Sequence, residues 1–528
     1  MIKNKLSRKN FIRMTAMGGI ISTLPFSSCK KSSLTDESHH FDAIVIGSGF
    51  GGAVAALRLC EKGIRTLLLE MGKAYIVQPD KNVFSPNFPA NKFSTWLKST
   101  TELSFGPNLP FSGTYTGVLD RVEYPNMHVY RNVCLGGGSI SNGGVLLEPR
   151  EDHFHSFMFD QINYPELKQK YFPLVRNMLR ASKMPDDLFN SSYYTFAQVA
   201  KRHALQAGFD VIHADSFYDF DIWRKETLNQ IKKSALNGEL LYGNNNGIKN
   251  SLERNYLAQA TATGNLTIQT LTKAESIRKN GKDMFEIEAT QIDEQGRETN
   301  YTVFTSNYLF VCAGSIGTSE LLVKARDSGT LPDLNDEIGN DWGPNGNSFA
   351  MRSQLRESTG NMHCSPPTLS VADYNNPVAP LTAMQDIFPL GIDLKTLLMV
   401  GQPFNETKGK FMYDTATKTV QLQWPSNGLE QANQAMKQFI DKINGVNGGV
   451  LDRTFIPSGV SKGFTYHPLG GAVLGKASDW FGRIKGYTKL YALDGSMLPG
   501  NCALVNPTLT ITALAERNME MIIQEDFS

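Results

Sequence analysis

Cysteine is scarce in this chain of 528 residues: Cys29, Cys60, Cys134, Cys312, Cys364 and Cys502, six in all and none spaced as CxxC. That scarcity argues against a disulfide framework or a zinc centre, both of which leave tighter spacing, and no metal site is expected. An excess of either charge is missing too. Lys and Arg number 52 against 51 Asp and Glu, a net charge of +1 with no basic stripe, so a nucleic-acid partner finds no electrostatic support. No apolar run is long enough to span a bilayer, which takes about 20 residues, and no repeat period is visible. What remains, 41% apolar and 20% charged residues with 46 Gly and 24 Pro, suits a globular enzyme of two or three domains.

Residues 1–40 are predicted to be an export signal and linker: a basic front, a short apolar stretch over 14–26 and small residues approaching Cys29. "SRKNFI" resembles a twin-arginine motif with Lys in place of one Arg, and "FSSC" resembles a bacterial lipobox with Phe in place of Leu. The expectation is an exported protein, in the periplasm, at the cell surface or secreted, with Cys29 as a possible lipid anchor. An ordinary cleaved secretory peptide is the alternative.

The next stretch is "FDAIVIGSGFGGAVAALRLCEKGIRTLLLEMG". Residues 43–46 read as a buried strand, 51–62 as a helix and 66–70 as a second strand, one βαβ unit of a doubly wound sheet. Gly47, Gly49 and Gly52 form GxGxxG at the turn. The first permits the tight turn, the second lets backbone amides approach a pyrophosphate, and the third lets helix pack on strand. Glu70 ends the second strand, where a carboxylate takes a ribose 2′-hydroxyl and disfavours a 2′-phosphate; FAD and NAD both fit, NADP does not. Residues 73–130 read as loop, with 73–114 as a candidate lid, and 308–325 repeat strand, glycine turn and helix.

Three further places carry chemistry. "LGGGSISNGG" (135–144) has no strand and helix pair around it; it reads either as backbone laid flat against a planar ligand, with Ser139 and Asn142 as polar contacts, or as a flexible surface loop. "LYALDGSMLPGNCALVNPTLTITALAERNMEMI" offers Asp494 for a cofactor hydroxyl and Asn506 before a helix at 510–522, or Asn506 as a plain cap. In "FTYHPLGGAVLGKA", His467 precedes Pro468, which fixes the backbone after the imidazole; it is a proton acceptor held by a rigid turn, or a loop histidine.

In this order "GSGFGGAV", "LEMG", "GGGSISNGG", "CAGSIGTSELL", "YHPLGG", "DGSMLPG" and "VNPTLTITALAERN" resemble the glucose-methanol-choline (GMC) family of FAD oxidoreductases, from about residue 41 to 528. Within it, "GVLDRVEYPNMHVY", "LYGNNNGIKNSLERNYLAQA" and "WGPNGN" are most similar to the bacterial cholesterol oxidases with non-covalent FAD. The resemblance implies His467 and Asn506 as the catalytic pair, His467 accepting or orienting the substrate hydroxyl proton. It implies cofactor contacts from Gly47, Gly49, Phe50, Gly51, Gly52 and Glu70, from Gly137, Gly138, Ser139, Asn142, Gly143 and Val145, and from Ala274, Asp494, Gly495 and Asn506. It further implies a discontinuous Rossmann-like FAD-binding domain (41–75, 240–340, 480–528, with a flavin-contacting loop at 130–150) and an α+β substrate domain with an antiparallel sheet (76–239, 341–479).

Two positions depart from that pattern. Met384 stands where those enzymes carry the glutamate that moves a double bond after oxidation, and Asp386 could replace it only through a shift in register. Thr508 stands where they have an aromatic residue. The implied function is oxidation of a sterol-like 3-hydroxyl with oxygen as acceptor, with peripheral membrane contact and without assured isomerisation. The alternatives are a dehydrogenase of another bulky alcohol with a different acceptor, and a lipid-binding surface lipoprotein without turnover.

Overall fold

The computed structural model describes residues 39–102, 108–452 and 463–528. The export segment and the Cys29 anchor lie outside the described residues. The strand His40–Ile46 is the centre of a seven-stranded sheet, flanked in parallel by Thr66–Leu69 and by the C-terminal half of Glu298–Val311. Leu266–Gln269 pairs with Thr66–Leu69 and Leu490–Ala492 with Glu298–Val311, both parallel. Strands buried on both faces read as near-continuous apolar runs, which is why "AIVI" and "TLLL" announced themselves. Glu298–Val311 serves two roles over its 14 residues: its exposed first half closes an antiparallel meander with Thr272–Lys279 and Phe285–Ile292, and its buried second half enters the parallel core.

The helix Phe50–Glu61 crosses this sheet and packs against Thr508–Asp526 and Tyr256–Ala262. Its Gly and Ala residues permit the close approach. One buried carboxylate ties the three together: Glu516 accepts two bonds from Arg58, each 2.7 Å, and the Tyr256 hydroxyl at 2.8 Å. A second sheet of six antiparallel strands, in the order Val450–Asp452, Ser348–Ser353, Leu397–Gly401, Leu381–Asp386, Leu369–Asp373, Asp210–His213, stands over the cavity. All six fall within the segments expected to bind substrate. Among the described residues no helix is long and apolar enough to cross a membrane, and Cys60, Cys134, Cys312, Cys364 and Cys502 are free and buried.

Two sequence expectations need correction. Residues 73–130 are not all loop, since Leu119–Tyr124 and Met127–Asn132 form an antiparallel hairpin around Pro125 and Asn126. The glycine loop at 135–144 therefore does follow a strand. Nor are the described residues of 73–114 a free lid. The Tyr75 hydroxyl donates to Thr116 O, Val83 and Phe84 donate to the Asn245 side chain, and Trp96 and Leu97 bond to Leu119 and Tyr115. Among the described residues of that segment, only Asn87 and Phe88 border the main cavity.

Candidate active site

One cavity of about 920 Å³ runs from the GxGxxG turn to the antiparallel sheet. Its floor is backbone. Gly47 has φ +98°, and a Cβ there would lie 2.2 Å from the Cys312 carbonyl oxygen, so both conformation and space demand glycine. Gly49 differs: its φ is −69° and a Cβ would meet nothing within 4 Å. No neighbouring atom demands glycine at 49, and its absence of a side chain leaves bare backbone facing the cavity. Gly49 also caps Phe50–Glu61 without a side-chain bond, as Ala313 and Pro507 do for Gly314–Asp327 and Thr508–Asp526. All three helices begin on the cavity, and the first amides of Phe50–Glu61 and Thr508–Asp526 have no side-chain acceptor, a setting that attracts electron-rich groups.

Glu70 is buried at the end of its strand, accepting from Ser48 N and Oγ through Oε2 and from Gly72 N at 2.7 Å through Oε1, which retains a lone pair. Burial raises its pKa against the pull of those donors. Asp494 takes Gly314 N at 2.8 Å, Thr318 Oγ1 at 2.6 Å and Ser496 N at 2.8 Å, so it fastens the second helix start to the strand Leu490–Ala492. Ala274 borders the same end of the cavity from the strand Thr272–Lys279.

The loop at 135–144 is braced from beneath. Lys249, buried and pushed down to about 7 by loss of solvation, donates to Ile140 O at 3.0 Å and Asn142 O at 2.5 Å. Asn142 Nδ2 donates to Thr508 Oγ1 at 3.3 Å, so Thr508 joins the loop to the last helix. Phe50, Gly51, Gly137, Gly138, Gly143, Val145 and Gly495 border the cavity with it. Two expected contacts do not. The Ser139 hydroxyl donates to Gly136 O and accepts from Leu252 N, serving as an internal strut, and Gly52 packs on the Gly47 carbonyl.

His467 and Asn506 meet on this cavity although they come from separate segments. The strand Gly463–Thr465 pairs in parallel with Met127–Asn132 and delivers His467 just beyond its end. The run 342–347, "WGPNGN", then aligns both residues. Gly343 bonds in both directions with Leu469, Asn347 reaches the His467 ring at 2.9 Å, and Asn345 donates to Val505 O at 3.0 Å and accepts from Cys502 N at 2.7 Å. Ahead of Asn506, Ala503 and Leu504 both hold positive φ, +47° and +70°, a strained approach of the kind found at functional sites. Asn506 Oδ1 is buried with no protein partner. Burial pushes the His467 imidazole down to about 4, so it is neutral at neutral pH. Sequence reasoning gave no role to Lys249, Asn345 or Asn347, although the runs that hold them were visible.

Above this pair the wall is apolar, with Phe349, Met384, Ile387, Leu398, Val400 and Tyr466. Met384 and Asp386 share a face of Leu381–Asp386 because strand side chains alternate, so Asp386 reaches the cavity without the register shift the sequence suggested. Burial raises its carboxyl to about 6.

The chain matches two family models end to end, "GMC oxidoreductase" over residues 41–340 and "GMC oxidoreductase, C-terminal" over 345–456. It is similar to cholesterol oxidase from Mycobacterium tuberculosis (strain ATCC 25618 / H37Rv), 24% identical over 555 residues with 90% of each chain covered. A cholesterol oxidase from Acinetobacter baumannii is 23% identical over 567 residues, covering 93% of this chain and 95% of that one. Among solved structures, a fungal aryl-alcohol oxidase (TM-score 0.62, 12% identity, 93% and 100% covered) and a pyridoxine 4-oxidase (TM-score 0.60, 14% identity, 92% and 99% covered) share the fold. With the two matches together spanning most of the described residues, the chain belongs to the GMC oxidoreductase family, whose members use FAD to oxidise alcohols.

Proposed function

We propose that this enzyme oxidises a sterol 3-hydroxyl, or the hydroxyl of a similarly bulky hydrophobic alcohol, to the ketone, with oxygen as electron acceptor and hydrogen peroxide as product. The carrying observation is a single cavity that joins a backbone-lined dinucleotide floor to an apolar chamber, with His467 and Asn506 on its wall. The residues present fit FAD. Gly49 leaves bare backbone that no neighbouring atom requires, the helix starts at Phe50 and Thr508 lack side-chain caps, and Asn506 Oδ1 is a buried acceptor with no donor among the described residues.

In this reading FAD is held without a covalent link by the GxGxxG turn, Glu70, the loop at 135–144 and Ala274, and when bound it supplies the hydride acceptor. His467 and Asn506 hold the reacting oxygen and the flavin-facing end of the substrate. The apolar wall excludes water and fixes the ring system. Phe88, 72% exposed, and Leu390, 41% exposed, stand at the cavity edge and suit contact with a lipid surface from which such an alcohol would be drawn. Export, with Cys29 as anchor, agrees with that location. A second reading, a dehydrogenase using another acceptor, draws on Met384 and Thr508 at positions where cholesterol oxidases differ.

Anaerobic mixing of the purified protein with cholesterol tests the proposal. Bleaching of the flavin band with cholest-5-en-3-one as product supports oxidation without isomerisation, and the 4-en-3-one would show that Asp386 moves the double bond. A band that bleaches but recovers only with an artificial acceptor selects the dehydrogenase. A band that stays oxidised removes the sterol assignment.

A further inference from the structure

The outer wall of the alcohol chamber is a connection and not a strand. Residues 387–390 follow Leu381–Asp386 and border the cavity with Ile387, Phe388, Pro389 and Leu390; the chain then turns at Gly391, φ +77°, and returns through Leu397–Gly401. Pro389 has no N–H to offer, and Leu390 N bonds within the connection, to Phe388 O at 3.1 Å. Connections are more mobile than the strands they join, so such a wall needs support from behind.

Behind it stands His363, 4% exposed, its ring stacked on Phe196 with centroids 4.4 Å apart and planes at 14°. His363 does not itself border the cavity. Its Nδ1 lies 3.1 Å from Phe388 N. A backbone N–H can only donate, so Nδ1 must present a lone pair and the neutral ring carries its proton on Nε2. Burial pushes the imidazole down to about 4, against the pull of Asp393, so that lone pair is available throughout the neutral range. Two further contacts make this place a junction. At Gly238, φ +64°, a Cβ would meet Pro389 Cβ at 2.3 Å and His363 O at 2.7 Å, so a third segment closes on both. Asp393, at the far end of the connection, accepts from Thr359 N at 3.2 Å and Thr359 Oγ1 at 3.1 Å, which docks both ends of the wall on residues 359–363.

We propose that His363 is a positioning residue for substrate size: by accepting the Phe388 N–H it latches residues 387–390 as a rigid outer wall, and so sets the affinity for a bulky alcohol without touching substrate or flavin. The effect on substrate rests on the sterol reading above. His467 and Asn506 meet the reacting end of any alcohol, whereas this wall meets only the ring system of a large one. A loosened wall therefore weakens binding in the ground state and the transition state alike and leaves the hydride step unchanged.

Two substitutions separate the acceptor from the ring. His363→Phe keeps the stack on Phe196 and strands the Phe388 N–H; His363→Asn gives up the stack and sets an amide oxygen near the place of Nδ1. In anaerobic mixing, His363→Phe should need about 10-fold more cholesterol for half-maximal bleaching, with a limiting rate within about 2-fold of wild type. His363→Asn should stay within about 3-fold of wild type in both, because the N–H keeps an acceptor. Equal half-saturation for His363→Phe and wild type would overturn the latch, and a loss in His363→Asn as large as in His363→Phe would overturn it in favour of ring packing. Hydrogen exchange of the wild-type holoenzyme, resolved to single amides, needs neither variant nor substrate: protection of Phe388 N–H by about 100-fold or more at pH 7 supports the bond, and exchange at the rate of a free peptide ends it. Should cholesterol leave the flavin oxidised, the sterol reading falls and the effect on substrate with it, while exchange at Phe388 still decides whether the latch exists.

Discussion

The two ends of this cavity are built from different material. At the cofactor end the walls are main chain: a turn at Gly47 with a carbonyl 2.2 Å from any Cβ, a bare backbone at Gly49 and two helix starts, at Phe50 and Thr508, that no side chain caps. At the alcohol end the walls are side chains on strands, Met384, Asp386, Phe349 and Val400, which can change without moving the backbone. A family can therefore keep its cofactor while its substrate changes.

The sharpest way to break that comparison is at the floor. Gly49→Val should fold, because its Cβ meets nothing within 4 Å, yet be purified without a flavin band. Gly47→Val, by contrast, should fail to accumulate as folded protein, since strain at φ +98° adds to the backbone clash. If Gly49→Val retains full flavin, the ligand does not lie where the floor implies. Next in size, His467→Ala should keep its flavin and lose about 10²- to 10⁴-fold in the rate of bleaching. A loss of flavin instead would move His467 from the alcohol end to the cofactor end.

Local backbone demands were legible, and long-range side-chain pairing was not. GxGxxG followed by Glu70 is written within a span that folds on itself, so the turn and the buried carboxylate beside it were both legible. Asn347 and His467 lie 120 positions apart, and their bond depends on the pairing of Gly343 with Leu469, which no local pattern encodes. The hairpin at 119–132 could have been found, for "LDRVEYPNMHVYRN" places Pro-Asn between two alternating runs. Strand alternation likewise sets Met384 and Asp386 on one face.

A smaller effect, on stability, probes the carboxylate at the alcohol end. Burial holds Asp386 at about 6 in the folded protein, above about 3.9 for the unfolded chain. The folded state binds this proton more tightly, so the group's contribution is most favourable below pH 4 and is lost as pH rises through 6, by about 3 kcal/mol. Asp386→Asn stays neutral and escapes that loss. It should melt above wild type at pH 8 and level with it at pH 4; equal melting at both would mean that water reaches the carboxylate freely.

The smallest expected effect lies at the rim, where the alcohol end meets solvent. Phe88 is 72% exposed, yet its neighbour Asn87 is tied to the carbonyl of Gly238, so the ring is displayed on a held backbone. Burying one such ring in a lipid surface is worth about 2 kcal/mol, but side chains at a mobile interface realise only part of it. Phe88→Ser should slow turnover of a sterol presented in vesicles several-fold and leave turnover of the same sterol in detergent near wild type. Equal losses in both would assign Phe88 to the shape of the cavity, and the side-chain wall would then extend to the surface with no part reserved for a membrane.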